Sequence, residues 1–571
     1  MRLKIIRLIF IIFLAAIVVD LAYIQGIKGE YFFDLSANNR IRSVALEGWR
    51  GRIWDKNGEL LVDNVMSLDV AVVPQDINDF HGLFEFLSGV LNVPANELIG
   101  EYQKARISNF APVVVAEDIP RAKAIIIEEN KYRFPCLSVQ QDFKRKYLLG
   151  EDAAHVIGYV GKINRARREK MKEYGYTSQS VVGYGGVEEY YDLYLKGGEG
   201  GEQIEVNSRG QQVRLLSIKK PTRGEDIHLT LDRRLQRMIH QALAGRKGAV
   251  IIMDADSGEV MGLNSSPSFD PNVFFDRDNS ARISALFRDR DSPILNRVIA
   301  GLYPPGSVFK IPVAVGALQN HKINQSTTFT CDGVYELGGS QFRCTHVHGP
   351  QDLIEAIAHS CNIYFYHVGL ILGADLMHDY ARLLGLGAPT HIDLPYERAG
   401  NIPSRRSRLL SSTKKWFTGE TLNYAIGQGQ ILVTPLQLAG MMAVIARDGM
   451  EVQPYVIKTI GEHEIVPLAR QRSVKIDKDV LRIVQQGMRS TVTDPDGTAH
   501  VLDLPDLYVA GKTGTAQTSG DQETHAWFAG YAKSENRKIA FCFFLEHGGS
   551  SHNACELARQ VFLQMQTEKM F

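Results

Sequence analysis

The sequence predicts an α/β (α+β) chain whose C-terminal part is built on a five-stranded antiparallel sheet flanked by helices. Two observations carry this. Gly248-Ala-Val-Ile-Ile-Met-Asp254 and Glu259-Val-Met-Gly-Leu263 are strand-length apolar runs closed by the turn sequence Ala255-Asp-Ser-Gly258, as in a hairpin. Three more such runs lie near the C-terminus: Tyr508 to Thr515, Ala526 to Ala532 and Ile539 to Leu545. Between about residues 270 and 500 the apolar residues recur at helical spacing, which predicts a mostly helical insert. A final helix is expected from about Ala554 to Gln566.

The elements before this sheet divide the chain further. Met1-Arg-Leu-Lys-Ile-Ile-Arg7 is basic, and the run from Leu8 to Val19 is apolar, continuing weakly to Ile24. Basic residues ahead of an apolar run place the start in the cytoplasm. No small-x-small cleavage site follows, so residues 1–25 read as an uncleaved stub and single-pass anchor. Residues 26–228 read as a separate α+β domain, with strand-like pieces such as Ser67 to Val73 alternating with helical ones such as Phe80 to Val90. Residues 229–571 form the domain that carries the sheet. With 571 residues, two or more domains with sizeable cores are expected. The chain has 64 Lys+Arg against 64 Asp+Glu, which gives no basic footprint for nucleic acid.

Three short motifs carry the chemistry, and their order matters more than any one of them. Ser-x-x-Lys occurs at Ser217, Ser307, Ser411 and Ser412; Ser-x-Asn occurs at Ser360 and elsewhere, Ser36 and Ser551 among the other sites; Lys-Thr-Gly occurs once, at Lys512-Thr513-Gly514. Only Ser307-x-x-Lys310, then Ser360-x-Asn362, then Lys512-Thr513-Gly514 stand in the order and spacing of a serine acyltransferase that uses lysines where proteases use histidine. Ser307 follows Tyr303-Pro-Pro-Gly306, which cannot be helical, and precedes the apolar helical run Val308 to Leu318. It is therefore expected at a helix N-terminus, where free N–H groups favour developing negative charge. Lys310 is one turn on, and burial would let it be neutral and accept the serine proton. Pro312 is expected to kink this helix. Ser360 and Asn362 are expected on a helix–helix connection, Ser360 to relay a proton to the leaving amine and Asn362 to bind a substrate amide. In the strand, Lys512 offers a cation and Thr513 a hydroxyl to a substrate carboxylate, Gly514 permits close approach of a substrate backbone, and the N–H groups of Ser307 and Thr515 would form the oxyanion hole.

Taken with these motifs, Arg50-Gly-Arg-Ile-Trp-Asp-Lys-Asn-Gly58, Ser265-Ser-Pro-Ser-Phe-Asp-Pro-Asn272 and Ala425-Ile-Gly-Gln-Gly-Gln430 make the chain resemble a class B penicillin-binding protein. Asp393-Leu-Pro-Tyr-Glu-Arg-Ala-Gly400 and Gly419-Glu-Thr-Leu-Asn423 make it most similar to penicillin-binding protein 2, the elongation type. The resemblance implies a penicillin-binding transpeptidase fold on an N-terminal pedestal (dimerisation-type) domain. In that pedestal Arg145, His155 and Glu188 would fix chain crossings. It implies crosslinking of peptidoglycan stem peptides, lipid-linked or nascent, through a Ser307 acyl-enzyme, and inhibition by β-lactam antibiotics. The domain would lie outside the cytoplasmic membrane, with a membrane-embedded RodA-type glycosyltransferase and the elongation machinery as partners. The alternatives are a division-type transpeptidase, a D,D-carboxypeptidase in which water deacylates, and a penicillin-binding sensor or scaffold without turnover.

The chemistry needs no cofactor, but the cysteines carry a second signal. Of six, Cys331, Cys344 and Cys361 cluster with His346 and His348. Three thiolates and one imidazole make a closed tetrahedral zinc set, and Cys331, Cys344, His348 and Cys361 are the expected ligands, with His346 as substitute. Such an ion would be structural, pinning the loop in which Cys361 stands between Ser360 and Asn362. A Cys331–Cys344 disulfide and unlinked buried thiols are the alternatives. Cys542 and Cys555 could pair or pack, and Cys136 reads as core.

Overall fold

A computed structural model describes residues 2–31, 41–46, 48–106, 111–176, 180–198, 200–206, 212–275, 279–411, 415–465, 472–518 and 522–571. Ser36 and Ser412, two rivals of the motif serines, lie outside these residues. Near the N-terminus, Ile5–Ile27 is helical over 23 residues, long and apolar enough to cross a membrane. Asp20 lies within that span without breaking it.

The chain packs as two compact units. The first comprises residues up to Gly51, Asn64–Lys144 and Lys196–Glu225. Its helix Phe80–Leu91 starts where Asp79 Oδ1 accepts the Gly82 N–H at 2.9 Å. Leu83, Phe84, Leu87 and Leu91 recur on one face and bury against Tyr102, Val113, Val115 and Cys136. Ile41–Leu46, Gly200–Val206 and Gln212–Lys219 pair as a separate three-stranded antiparallel sheet.

The second unit comprises Arg52–Asp63, Arg145–Leu195 and Asp226–Phe571. Its centre is the five-stranded sheet, formed by β1 (Gly248–Asp254), β2 (Val260–Ser266), β3 (Tyr508–Ala516), β4 (His525–Lys533) and β5 (Lys538–Leu545). All neighbours are antiparallel, in the order β2-β1-β5-β4-β3, which leaves β3 at an edge. Both faces are covered, so these strands are continuous apolar runs rather than alternating ones. Val250, Ile252, Phe528, Phe541 and Phe543 point to one face and pack on Leu235, Ile239 and Phe562. Ala249, Ile251, Met253, Trp527 and Phe544 point to the other, where the helix Pro435–Ala446 adds Met441 and Met442.

The insert supplies the helices α1 (Lys310–Gln319), α2 (Leu353–Ala358), α3 (Asn362–Leu372), α4 (Thr418–Ala425) and α5 (Lys478–Thr493), and α6 (Ser551–Thr567) closes the chain. The expected kink at Pro312 does not arise. Gly306–Phe309 forms a 3₁₀ turn and the α-helix begins only at Lys310, so Pro312 falls in the first turn, where its missing N–H would have had no helical partner.

Arg145 and Glu188 form an ion pair of 2.7 Å with both side chains almost fully buried. His155 Nε2 donates to the Pro293 carbonyl oxygen at 2.7 Å, and burial lowers its pKa to about 4. These contacts tie residues 145–195 into the second unit. All six cysteines are free thiols. Cys136, Cys542 and Cys555 are buried in apolar packing.

Candidate active site

The Ser307 turn is held by backbone. The Gly306 N–H donates to the Gly427 carbonyl oxygen at 3.0 Å, and Gly306 has φ +55°. Gly427 has φ +73°, and a Cβ there would stand 2.0 Å from the Gly306 oxygen, so only glycine lets these segments meet. This gives the Ala425 to Gln430 motif a physical role. From the other side, Trp527 Nε1 donates to the Pro304 carbonyl oxygen at 3.0 Å. Ser307 itself is half-buried, and its hydroxyl has no hydrogen bond among the described residues.

Lys310 opens α1 fully buried. Its Nζ donates to the Ser360 carbonyl oxygen at 2.6 Å, to Asn362 Oδ1 at 2.7 Å and to Ser360 Oγ at 3.3 Å. Burial lowers its pKa to about 8, against the opposing pull of negative charge at Cys344, Cys361 and Cys331. Ser360 connects α2 to α3 in the left-handed region at φ +58°, a strained conformation for serine that turns its carbonyl toward the lysine. Asn362, the first residue of α3, donates through Nδ2 to the Arg343 carbonyl oxygen at 3.2 Å, which fixes its Oδ1 toward Lys310.

β3 brings the third motif. Lys512 is fully buried, and its Nζ reaches the Thr513 carbonyl oxygen at 3.3 Å and Oγ1 at 3.4 Å. Burial first, then the positive charge of Lys310, push its pKa well below the ordinary lysine value. Each buried lysine disfavours charge on the other, and an anion bound beside Lys512 would favour its charged form. Gly514 also has a role within the chain. A Cβ on it would stand 2.8 Å from the Pro305 oxygen and 3.0 Å from Val308 Cγ2, so its bareness lets the strand meet the Ser307 turn of the same chain. Thr515 also faces that turn, its carbonyl oxygen 2.8 Å from where a Gly306 Cβ would lie. As the sheet edge, β3 keeps backbone groups available to an extended ligand.

Thr498, which no motif singles out, joins two of these elements. Its Oγ1 is 2.7 Å from Thr513 Oγ1 and 3.3 Å from the Ala358 carbonyl oxygen, to which its N–H also donates at 3.2 Å. The end of α2 is thereby tied to the Lys-Thr-Gly strand.

Beside Asn362 lies the cysteine cluster. One ligand atom from each of Cys331, Cys344, His348 and Cys361 lies within 4.8 Å of every other. His348 Nδ1 is 3.5 Å from Cys331 Sγ and 3.6 Å from Cys344 Sγ. His346 is not in the group; its carbonyl oxygen lies 3.5 Å from Cys331 Sγ. The Asn362 N–H donates to Cys344 Sγ at 3.2 Å, and Cys361 Sγ caps α3 by accepting the Tyr364 N–H. Hydrogen bonding to Cys361 and to backbone N–H groups pushes the Cys344 pKa down, while Cys361 is shifted upward by the same contact. Gln351 supports the group, donating to the His348 carbonyl oxygen at 3.3 Å while its Oε1 meets His359 Nδ1 at 2.8 Å.

A serine turn, a buried lysine held by a Ser-x-Asn loop and an edge Lys-Thr-Gly strand define a serine acyltransferase site. Residues 248–564 match the penicillin binding protein transpeptidase domain, and residues 45–229 match the penicillin-binding protein dimerisation domain. The chain belongs to the penicillin-binding transpeptidase family. It is 32% identical over 568 residues to the peptidoglycan D,D-transpeptidase MrdA of Haemophilus influenzae, covering 94% of this chain and 87% of that one. It is 33% identical over 569 residues to MrdA of Acinetobacter baumannii, covering 95% and 84%. Its structure is similar to PBP2 in the complex of PBP2 and MreC from Helicobacter pylori, with TM-score 0.81, 29% identity and coverage of 93% and 100%. It is also similar to a chain of a peptidoglycan synthase complex that couples polymerization and crosslinking, with TM-score 0.74, 29% identity and coverage of 98% and 97%. The activity is that of a serine-type peptidoglycan D,D-transpeptidase, and the similarity is to the elongation type.

Proposed function

We propose that Ser307 is the nucleophile and Lys310 its base. The observation that carries this is the buried Lys310, one turn after Ser307, with its Nζ fixed by Ser360 and Asn362 and its pKa lowered to about 8. Neutral Lys310 takes the Ser307 proton as Oγ attacks the carbonyl carbon of the penultimate D-Ala. The oxyanion is met by the N–H groups of Ser307 and Thr515. The bond to the terminal D-Ala breaks, and its nitrogen takes a proton through Ser360. Asn362 holds a substrate amide, and Lys512, Thr513 and Thr515 hold the terminal carboxylate, which also relieves the repulsion between the two buried lysines. Gly514 keeps the strand close to the Ser307 turn. An amine from a second stem peptide then attacks the ester carbonyl, loses its proton to the Lys310–Ser360 pair and releases Ser307. A β-lactam follows the first half and leaves a slowly hydrolysed ester.

Cys331, Cys344, His348 and Cys361 are the residues that would hold a zinc ion. With Zn–S near 2.3 Å and Zn–N near 2.0–2.1 Å, a tetrahedron places S and N about 3.5–3.6 Å apart, which is the spacing found around His348 Nδ1. When bound, the ion would supply structural rigidity alone. Cys361 and Cys344 would then hold the backbone on both sides of Asn362.

The apolar helix Ile5–Ile27 is read as a single-pass anchor in the cytoplasmic membrane, with residues 26–228 as pedestal and 229–571 as catalytic domain outside it, periplasmic in a diderm. A RodA-type membrane glycosyltransferase would supply the glycan strand as part of the elongation machinery; the similar chain in a peptidoglycan synthase complex supports that reading.

The test is a crosslinking assay with nascent peptidoglycan or a donor stem peptide and an amine acceptor. Crosslinked product in excess over hydrolysed donor is expected. Free D-Ala with hydrolysed donor alone would instead make the chain a carboxypeptidase.

A further inference from the structure

Away from Ser307, the second unit encloses a cavity of about 380 Å³. This is at the small end of the roughly 300–1,000 Å³ range of small-molecule sites. Its walls include Tyr159, Tyr184, Phe269, Ile299, Pro395 and Tyr396. The ring of Tyr159 lies flat on Phe274, with centroids 3.6 Å apart and planes at 10°, so its orientation is fixed. Tyr184 is nearly parallel to it at 5.6 Å, and Phe269 meets it edge-on at 6.1 Å. No hydrogen bond engages the Tyr159 hydroxyl among the described residues.

Among the described residues, Glu189 is the one carboxylate in this wall. Its Oε1 accepts the Tyr396 hydroxyl at 2.7 Å and has Arg167 Nη1 at 3.5 Å, and its Oε2 accepts the Gly185 N–H at 2.6 Å. A carboxylate has about four acceptor positions, so Oε2 retains one. Gly185, at φ +68°, has nothing within 4 Å of where a Cβ would stand, so the wall is open at that glycine. Tyr396 is 69% exposed and sits at φ +68°, a conformation that a bulky residue rarely adopts. Backbone strain of this kind marks ligand clamps. Here it holds an aromatic ring at the cavity mouth by a single hydrogen bond to Glu189.

We propose that this cavity is a subsite for one N-acetylated sugar ring of the glycan strand. A pyranose presents an apolar C–H face, which suits the fixed tyrosine rings, and a rim of hydroxyls, which suits Glu189 Oε2 and the Tyr159 hydroxyl. Ile299 and Pro395 offer an apolar wall for the acetyl methyl. A compact cation is disfavoured, because Arg167 already pairs with Glu189. The wall residue Ile299 lies a few positions before Tyr303-Pro-Pro-Gly306, and its carbonyl oxygen accepts the Arg398 N–H at 3.0 Å. A sugar held here would set the register of the strand whose stem peptide reaches Ser307. The proposal deepens the transpeptidase reading and rests on peptidoglycan being the substrate.

The experiment titrates the full chain in detergent with chitotetraose, the peptide-free β-1,4-linked N-acetylglucosamine tetramer, by calorimetry and saturation-transfer NMR. It is run before and after treatment with penicillin. Expected is saturable binding that penicillin leaves within twofold and that weakens at least fivefold in both Glu189→Gln and Tyr396→Gly. The second variant removes the ring and suits the left-handed backbone, so it keeps the fold. No saturable binding, displacement of the sugar by penicillin, or unchanged affinity in Tyr396→Gly would each overturn the subsite. Binding as expected in a chain that takes no penicillin would keep the subsite and sink the Ser307 reading instead.

Discussion

Lys310 Nζ lies 2.7 Å from Asn362 Oδ1 and 2.6 Å from the Ser360 carbonyl oxygen, so the lysine that follows Ser307 is fixed by the loop of the second motif. Those contacts hold the amine whether or not it is charged. Burial lowers its pKa to about 8 because it outweighs the opposing pull of negative charge at Cys344, Cys361 and Cys331.

The pH dependence of acylation follows from this. Only neutral Lys310 can accept the Ser307 proton, and the neutral fraction rises as pH climbs through about 8. The second-order rate of penicillin acylation should rise close to tenfold per pH unit from pH 6 to 7.5 and level off above about 8.5. Stopped-flow measurement across that range checks it; a flat profile would contradict the assignment of the base.

Replacing Lys310 should affect rate far more than fold. Lys310→Met removes the base and three hydrogen bonds but fills the same buried space. Acylation should fall by roughly 10²–10⁴, the usual worth of a positioned general base, while the unfolding midpoint changes little or rises.

Thr498→Val keeps the N–H bond to Ala358 and loses the hydroxyl that meets Thr513. A hydroxyl left without its partner costs about 1–3 kcal/mol. Acylation by penicillin should slow about tenfold, and Thr498→Ser should restore most of it. An unchanged Thr498→Val would show that Thr513 needs no such support.

The cysteine cluster makes a compositional prediction. Elemental analysis of the purified chain should give close to one zinc per chain, and Cys344→Ser should lower both the metal content and the acylation rate. Thiol titration of the denatured, metal-free protein should count six thiols, matching the six free cysteines. A Cys331–Cys344 disulfide would give four.

Gly514→Ala puts a methyl 2.8 Å from the Pro305 oxygen. Overpacking of this kind costs about 1–3 kcal/mol. The strand can relieve it only by moving from the Ser307 turn, so acylation should drop along with the unfolding midpoint. A variant that loses stability but acylates at the original rate would argue that strand and turn are not coupled.

Most of the site was legible because its motifs are local. Ser307 and Lys310 share one turn, Ser360 and Asn362 flank one helix start, and the five strands are apolar runs long enough to be buried on both faces. What escaped was set by packing. Pro312 looked like a kink because the sequence does not say that the helix starts at Lys310 after a 3₁₀ turn. The close packing of Gly514 against Pro305 and Val308 joins segments that no single motif contains. Thr498 has no motif, and its bonds to Ala358 and Thr513 join residues far apart in the chain. The cysteine cluster did not escape: the structure brings together Cys331, Cys344, Cys361 and His348, the imidazole preferred over His346 from the sequence.

The central claim is that Ser307 carries the acyl group. Intact-protein mass spectrometry after incubation with penicillin, with the wild type beside Ser307→Ala, tests it most directly. The account predicts one penicilloyl adduct on the wild type, mapped by proteolysis to the peptide containing Ser307, and none on the variant. A folded wild type without an adduct, or an equal adduct on Ser307→Ala, would contradict it.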